Sequence, residues 1–427
     1  MKKILWVVLT LVLVALSACS SPPTAVVEGI VLQGNLQSEQ SRVIPAADNA
    51  DIPSLIKGNN EFALELFQEL RSISPGENLF YSPLSISEAL AMVFAGARGE
   101  TASQMAETLN FNLEPETLYN ALNWLEQHLI DTGNTTDFRL SIANAIWGQN
   151  GYPIMPEYLD ILARYFGAGL RGLDFAGDAE ISRKIINDWV STETAGRIPE
   201  LLGAGSVNAL TRIILTNAIY FDADWQSKFT KESTREENFY LLDNTIVRVL
   251  MMSQTGSFKY ADGVDYRAVE LPYAGSGFSM VIMMPEQNKF EEFENSLDIQ
   301  KLDGIIESLS TNIINLKVPK FEFSCDYSLK EILSRLGMPD AFSGSADFSG
   351  MCSGGILIDD VVHKAFVSVD EEGTEAAAAT GIIMIGSSPD TTEPINVTID
   401  HPFIFFIRDV QTGAIIFLGR VMNPILS

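Results

Sequence analysis

The chain has 427 residues, of which 46% are hydrophobic and 19% are charged, and its formal net charge is −27 at pH 7. This much apolar sequence can form a large packed core, which excludes a globally disordered protein. The negative charge and the lack of a basic cluster exclude binding to the phosphate backbone of nucleic acid.

The first nineteen residues are typical of an export signal. Lys2 and Lys3 precede the run ILWVVLTLVLVAL, which is too short to span a bilayer comfortably. LSAC follows at 16–19 and resembles the lipobox of prokaryotic lipoproteins, in which Cys19 becomes the lipidated first residue. We therefore expect a signal peptide at 1–18 and an exported protein, held at the cell envelope by a lipid on Cys19 or extracellular. An ordinary signal peptide with a chance cysteine is the alternative.

The remainder reads as a linker followed by one domain. Residues 19–50 lack sustained periodicity, which predicts a flexible tether after the anchor cysteine. No second linker and no internal repeat interrupts 51–427, so these residues predict a single large domain. Two further cysteines, Cys325 and Cys352, imply no disulfide framework, and we expect unpaired thiols, although the two could pair.

Helices come first along the domain and strands come later. Amphipathic or strongly helix-forming stretches predict helices at 56–72, 85–97, 99–111 and 182–196. Ser85 and Ser87 precede Glu88 in an arrangement close to a capping box. Apolar β-branched runs predict strands at 212–225, 267–273, 279–285, 314–323, 401–409 and 414–424. Strands that do not alternate regularly with helices favour an α+β fold.

Six blocks in order resemble the serpin family, over about 56–424. They are NLFYSPLSISEALAMVFAGARGET (78–101), LTNAIYFDADW (215–225), ELPY (270–273), VPKFEF (318–323), HKAFVSVDEEGTEAAAAT (363–380) and HPFIFFIRD…GRVMNP (401–424). The resemblance implies a fold of three β-sheets with eight or nine helices and an exposed C-terminal reactive loop at about 371–400. It also implies a monomeric protease inhibitor, not an enzyme, that needs no cofactor. Its partner would be a serine or cysteine protease, trapped when the cleaved loop inserts into a sheet.

The segment DEEGTEAAAATGIIMIGSSP (370–389) is compatible with such insertion. It has no proline between Gly373 and Ser388, so no backbone donor is lost from a new strand. With Thr374 pointing inward, alternation places only uncharged residues on the buried face and places Glu375 outside. An inert alanine-rich surface helix is the competing interpretation. The resemblance assigns the hinge to Glu371, Glu372, Gly373, Thr374, Glu375, Ala376, Ala377, Ala378 and Ala379.

The resemblance also assigns a polar latch beneath the strands that must open. Its residues here are Ser82, Ser85, Asn217 and His363. Because these side chains lie in apolar surroundings, we expect them to pair with one another when buried.

Counting along the loop as in the family places the cleaved bond at Ser387–Ser388. The loop is a few residues longer than in typical members, so Met384, Ile385 and Gly386 remain alternatives. No Lys or Arg lies between Gly373 and His401. A trypsin-like specificity pocket would find no partner, so we expect elastase-, subtilisin- or chymotrypsin-like targets.

Two other functions compete with inhibition. A member that no longer inhibits could serve as a surface binding protein, although the small hinge residues favour inhibition. The sequence GMCSG (350–354) fits a nucleophile elbow, which would make Cys352 the nucleophile of a hydrolase. An elbow needs a strand before it and a helix after it, and that context is missing here. The few Cys and His residues show no metal-ligand spacing, so we expect no metal.

Overall fold

The computed structural model describes residues 30–45, 51–133, 138–275, 277–374 and 393–425. The predicted signal peptide and Cys19 lie outside the described residues. Residues 375–392, most of the predicted loop, also lie outside them. This range contains the predicted site residues Glu375, Ala376, Ala377, Ala378, Ala379, Met384, Ile385, Gly386, Ser387 and Ser388.

Nine α-helices lie within the described ranges. They are α1 (Asp51–Ile73), α2 (Pro83–Phe94), α3 (Gly99–Thr108), α4 (Pro115–Thr132), α5 (Pro156–Ile161), α6 (Phe175–Glu193), α7 (Phe290–Asn295), α8 (Ile299–Ser308) and α9 (Lys330–Leu336). No helix in these ranges has the length and apolar content needed to cross a bilayer.

The same ranges contain eighteen strands. They are β1 (Ile30–Val31), β2 (Asn35–Leu36), β3 (Leu79–Tyr81), β4 (Phe138–Gln149), β5 (Pro153–Ile154), β6 (Leu170–Leu173), β7 (Ile213–Asp224), β8 (Arg235–Tyr240), β9 (Ile246–Asp262), β10 (Tyr266–Pro272), β11 (Phe278–Pro285), β12 (Ser310–Pro319), β13 (Phe321–Ser328), β14 (Asp360–Val369), β15 (Gly373–Thr374), β16 (Ile395–Thr398), β17 (Phe403–Asp409) and β18 (Ile415–Val421).

The strands form three sheets, and the predicted α+β class is confirmed. A seven-stranded sheet has the order β13-β14-β15-β7-β4-β6-β2. A nine-stranded sheet has the order β16-β12-β9-β10-β11-β17-β18-β3, with β8 also paired to β9, and β1 pairs with β5 alone. Helix α2 packs on one face of the seven-stranded sheet, against β4 and β7, and α6 packs against β4. The side chains between α6 and the sheet form a second, smaller core.

Helix α2 begins earlier than the capping pattern predicted. Ser82 is the N-cap residue, its side chain accepts a hydrogen bond from the Ser85 backbone N–H, and Pro83 occupies the first turn. Ser85, Ser87 and Glu88 are therefore buried inside the helix and are not its cap. All twelve residues of α2 are buried, so the amphipathic pattern of a surface helix is absent.

The predicted strand at 314–323 is two strands in different sheets. Strand β12 ends at Pro319 and belongs to the nine-stranded sheet, whereas β13 begins at Phe321 and pairs with β14 in the seven-stranded sheet. The residue between them, Lys320, donates its backbone N–H to the Leu250 carbonyl. A continuous apolar run cannot reveal this change of sheet, because both halves have the same composition.

The linker prediction is wrong for residues 30–45, which pack on the domain. Leu32 is 1% exposed, and its backbone bonds with Tyr152 and Gly151. Strand β2 pairs with β6 at the edge of the seven-stranded sheet. The segment has no periodicity because it makes short separate contacts rather than one continuous element.

Shortening Leu32 to alanine tests whether this segment stabilises the domain. We expect Leu32→Ala to lower the free energy of unfolding by about 2–5 kcal/mol, because a buried side chain leaves a cavity. The neighbour Val31 is 60% exposed, so Val31→Ala should change it by less than about 0.5 kcal/mol. Urea denaturation measures both, and equal effects would contradict the packing role of Leu32.

Candidate functional site: the hinge and the strands that it enters

Strand β15 lies between β14 and β7 at one end of the seven-stranded sheet. Thr374 pairs with Val369 of β14 and with Ala223 of β7, both antiparallel. Beyond this end, β14 and β7 pair directly and in parallel, from Asp360↔Ile214 to Ala365↔Ile219. We call the end occupied by β15 the entry, since a strand extended from β15 would have to separate the pairs that follow.

A tight turn brings the chain back into the entry. The Asp370 backbone N–H donates to the Gly373 carbonyl at 3.0 Å, and the Asp370 side chain accepts from the Glu372 N–H at 2.8 Å. A Cβ on Gly373 would lie 2.0 Å from the Ala223 carbonyl oxygen. Only glycine, which has no Cβ, allows the two backbones to approach this closely. Any other residue at position 373 would clash with β7.

Two aromatic residues fix the turn and the first inward side chain. The Trp225 backbone N–H donates to the Glu372 carbonyl, and its indole N–H donates to the Asp370 carbonyl at 2.9 Å. Its ring stacks on Tyr273 with 4.6 Å between centroids. The Tyr273 hydroxyl and Thr374 Oγ1 are hydrogen-bonded at 2.7 Å, and Thr374 is 1% exposed, so it points inward as predicted. Trp225 is the last residue of the block LTNAIYFDADW, and Tyr273 is the last residue of ELPY. The sequence alone assigned no role to either residue.

The two hinge acids are held by lysines. Glu371 is buried and bonds to Lys320 Nζ at 2.5 Å and to Thr234 Oγ1 at 2.7 Å. Burial raises the pKa of Glu371, but the hydrogen bonds from Lys320 and Thr234 outweigh it, and the net pKa is lowered. Glu372 bonds to Lys231 and Lys228, which lower its pKa.

The four latch residues lie together in the core. The Ser82 N–H donates to His363 Nε2 at 3.1 Å, so Nδ1 carries the proton and donates to Asn217 Oδ1. Asn217 Nδ2 in turn donates to Ser85 Oγ. Since His363 and Asn217 are register partners on β14 and β7, their bond joins the two strands that insertion would separate. The role of this cluster as a latch stays a prediction.

The cluster extends one strand further than predicted. Asn144 on β4 is the register partner of Asn217, and its Oδ1 accepts hydrogen bonds from Asn217 Nδ2 and Ser85 Oγ. Asn144 Nδ2 then donates to Glu88 Oε2 at 3.4 Å. The signal for Asn144 was an amide within the apolar run IANAIW, but its partners come from α2 and β7, which are distant in sequence.

His363 is held as a neutral imidazole. It is fully buried, and this burial lowers its pKa to about 3. Protonation of Nε2 would place a second N–H against the Ser82 N–H, so the bond between them would be lost. The Tyr327 ring lies parallel to the imidazole, with 6.4 Å between centroids.

The described residues do not support the alternative of a cysteine hydrolase. Cys352 is 1% exposed, and burial raises the pKa of its thiol, which disfavours the reactive thiolate. His363, His128 and His401 bond to partners other than Cys352. Cys325 and Cys352 are free thiols. Within the described ranges, no three His, Cys, Asp or Glu residues form a group that could hold a metal ion.

The depressed pKa of His363 predicts a pH-dependent stability. Between pH 6.5 and about 3 the unfolded chain binds a proton on this histidine and the folded chain does not. Its contribution is therefore present above pH 6.5 and is lost as the pH falls, by up to about 1.4 kcal/mol per pH unit. Urea denaturation between pH 7 and pH 4 should show a shallower dependence for His363→Gln than for the natural chain. Parallel curves would contradict the neutral, buried state.

Comparison with known proteins gives the context of this site. The profile of the family described as Serpin (serine protease inhibitor) matches residues 57–424. A leukocyte elastase inhibitor of Homo sapiens is 40% identical over 381 residues, which cover 87% of this chain and 99% of the human protein. A serpin-like protein of Thermococcus kodakarensis is 39% identical over 372 residues, covering 87% of this chain and 86% of that protein.

Solved structures agree with the sequence comparisons. Uncleaved ovalbumin superposes with a TM-score of 0.80 at 30% identity, covering 87% of this chain and all of ovalbumin. Native tengpin, a thermophilic serpin, gives a TM-score of 0.79 at 30% identity, covering 91% of this chain and 97% of tengpin. The predicted fold is confirmed, and the chain belongs to the serpin family, whose members are described as serine protease inhibitors.

Proposed function

We propose that this protein inhibits a serine or cysteine protease by offering its loop for cleavage and then inserting the loop into the seven-stranded sheet. The observation that carries the proposal is the position of β15. Gly373 and Thr374 already pair with β7 at the entry, and Thr374, directly before residue 375, also pairs with β14. The described structure stops at Thr374 and resumes at residue 393, before β16 in the other large sheet.

The register of β15 supports continued insertion. Extended along β14, the same register places Ala376 opposite Val367, Ala378 opposite Ala365 and Thr380 opposite His363. These three β14 residues are buried, so the inserted side chains would face the core. The inserted residues Ala376, Ala378 and Thr380 are small and uncharged, which keeps the desolvation cost of insertion low.

The same extension explains how the polar cluster could be satisfied after opening. Along β7 the register places Thr380 opposite Asn217. Insertion breaks the bond between His363 and Asn217, but it brings a hydroxyl between them, and a hydroxyl can both donate and accept. The cluster would therefore oppose opening without leaving buried polar groups unpaired in the inserted form.

Small and aliphatic residues at the proposed bond favour elastase-, subtilisin- or chymotrypsin-like targets. We propose Ser387–Ser388 as the cleaved bond, with Met384, Ile385 and Gly386 as alternatives. The similarity to a protein named leukocyte elastase inhibitor supports this class of target. We also propose that the protein acts as a monomer outside the cytoplasm, attached to the envelope through a lipid on Cys19, as the LSAC sequence indicates.

Trapping of a protease tests the proposed mechanism. Incubation with an elastase-like enzyme should give a covalent complex that survives a denaturing gel, whereas trypsin should give none. Thr374→Arg should raise the number of inhibitor molecules consumed per protease at least about tenfold, because residue 374 is already buried at the entry and an unpaired cation there would displace the hinge from the position at which insertion starts. Thr374→Ser keeps the hydroxyl and should act as the natural chain does.

The outcomes separate the alternatives. If the protease cleaves the loop of the unmutated protein and no covalent complex forms, the protein is a substrate. That outcome would favour the alternative of a surface binding protein. Equal behaviour of the Arg and Ser variants would contradict a start of insertion from the buried position of residue 374.

Stability after cleavage tests insertion itself. Cutting the loop should raise the melting temperature by more than about 10 °C, because about ten inserted residues add backbone hydrogen bonds worth about 0.5–1.5 kcal/mol each. Differential scanning calorimetry of intact and cut protein measures the change. An unchanged melting temperature after complete cutting would overturn the mechanism.

A further inference from the structure

A cavity of about 200 Å³ lies behind the polar cluster, on the α2 face of the seven-stranded sheet. Its walls come from α2, α4, β4, β6 and the N-terminal segment. The exposed residues Asn35, Gln37 and Gly167 line one side, so the cavity is accessible from solvent. Met92, Leu122, Phe166 and Leu170 supply apolar wall. A cavity of about 150 Å³ is large enough to hold benzene, so this one can hold a small organic molecule.

Glu88 is a wall residue whose hydrogen bonding is incomplete. Its side chain is 5% exposed, and its Oε1 has no hydrogen-bond partner among the described residues. In the described part of the chain, its Oε2 accepts one hydrogen bond, from Asn144 Nδ2 at 3.4 Å. A buried carboxyl oxygen without a partner is costly, and a ligand that donates to it would remove that cost.

The other charged side chains around the cavity already have partners. Glu126 of α4 pairs with Arg42 of the N-terminal segment, and Arg42 also donates to Asn123. Arg171 of β6 lies over the rings of Trp147 and Trp189. Burial, and then Glu126, raise the pKa of Glu88 well above its usual value, while Arg42 lowers it. The raised pKa favours the neutral form of the Glu88 carboxyl in the absence of a cation.

We propose that this cavity is a binding site for a small organic cation, a primary ammonium on an apolar body, with the Glu88 carboxyl as its anchor. The apolar body packs against the Met92 and Leu122 side of the cavity. On binding, the carboxylic acid loses its proton to solvent, and the carboxylate pairs with the ammonium group. One proton is released for each cation bound.

The site is connected to the polar cluster by one residue. Asn144 bonds to Glu88 with its amide nitrogen and to Asn217 and Ser85 with its oxygen. An added strand between β14 and β7 moves them apart by about one strand spacing, roughly 4.8 Å. Because β4 and β6 lie on the β7 side of that opening and α2 forms the opposite wall, insertion would shift one wall against the other and disrupt the cavity that the intact form has. We therefore expect the cation to bind the intact form more tightly, a coupling that rests on the proposed function.

Titration calorimetry with benzylamine tests the site, with benzyl alcohol as the matched neutral ligand. We expect benzylamine to bind the intact protein at least tenfold more tightly than the alcohol, and Glu88→Gln to abolish this preference. Glu157→Gln makes the same substitution at an exposed position and should leave the preference intact. Repeating the titration in buffers of different ionisation enthalpy should show release of about one proton.

Glu88→Gln replaces a neutral acid by a neutral amide of the same shape, and circular dichroism would check that it folds. Equal affinities for amine and alcohol, or an unchanged preference in Glu88→Gln, overturn the site. Loop-cut protein should bind benzylamine at least threefold more weakly than intact protein. Equal affinity in the two forms overturns the coupling to insertion but leaves the site in place. Failure to trap a protease would instead bear on the proposed function alone.

Discussion

The hydrogen bond between His363 and Asn217 joins β14 and β7 where these two strands pair directly, with no strand between them. Strands β14 and β7 pair in parallel through six residues, and the bond is a side-chain link across that pairing. Because both groups are buried and neutral, neither water nor a counter-ion competes for the bond. Under the proposed mechanism, insertion has to break this bond together with the pairing of the two strands.

The hinge is built to remain at the entry. Gly373 allows a backbone approach that no other residue permits, and Trp225 and Tyr273 hold the turn and the Thr374 hydroxyl. The chain has 55 acidic residues and only 28 basic ones, yet three lysines are committed to Glu371 and Glu372. Buried or partly buried pairs of this kind fix geometry, since removing one partner leaves an uncompensated charge.

Sequence reasoning predicted the parts of the fold and site that depend on local pattern or on family motifs. Long apolar runs such as Ile213–Asp224 and Phe403–Asp409 are strands because β-branched and aromatic residues fit a buried pleated surface. The prediction placed Thr374 inward, and the burial of this residue agrees with that choice; the two-residue period of a strand then assigns the faces of its neighbours. Residues 30–45 were missed because short contacts with no period leave no pattern in the sequence.

By itself, the sequence determined the class of fold, the family, four residues of the polar cluster and the absence of Lys and Arg from the loop. These follow from composition, period and motif, which are properties of the chain alone. Only the tertiary structure decided that β12 and β13 lie in different sheets, that the cluster continues to Asn144 and Glu88, and that β15 already lies between two strands. Such facts depend on which distant segments meet, and burial then decides which polar groups can find a partner.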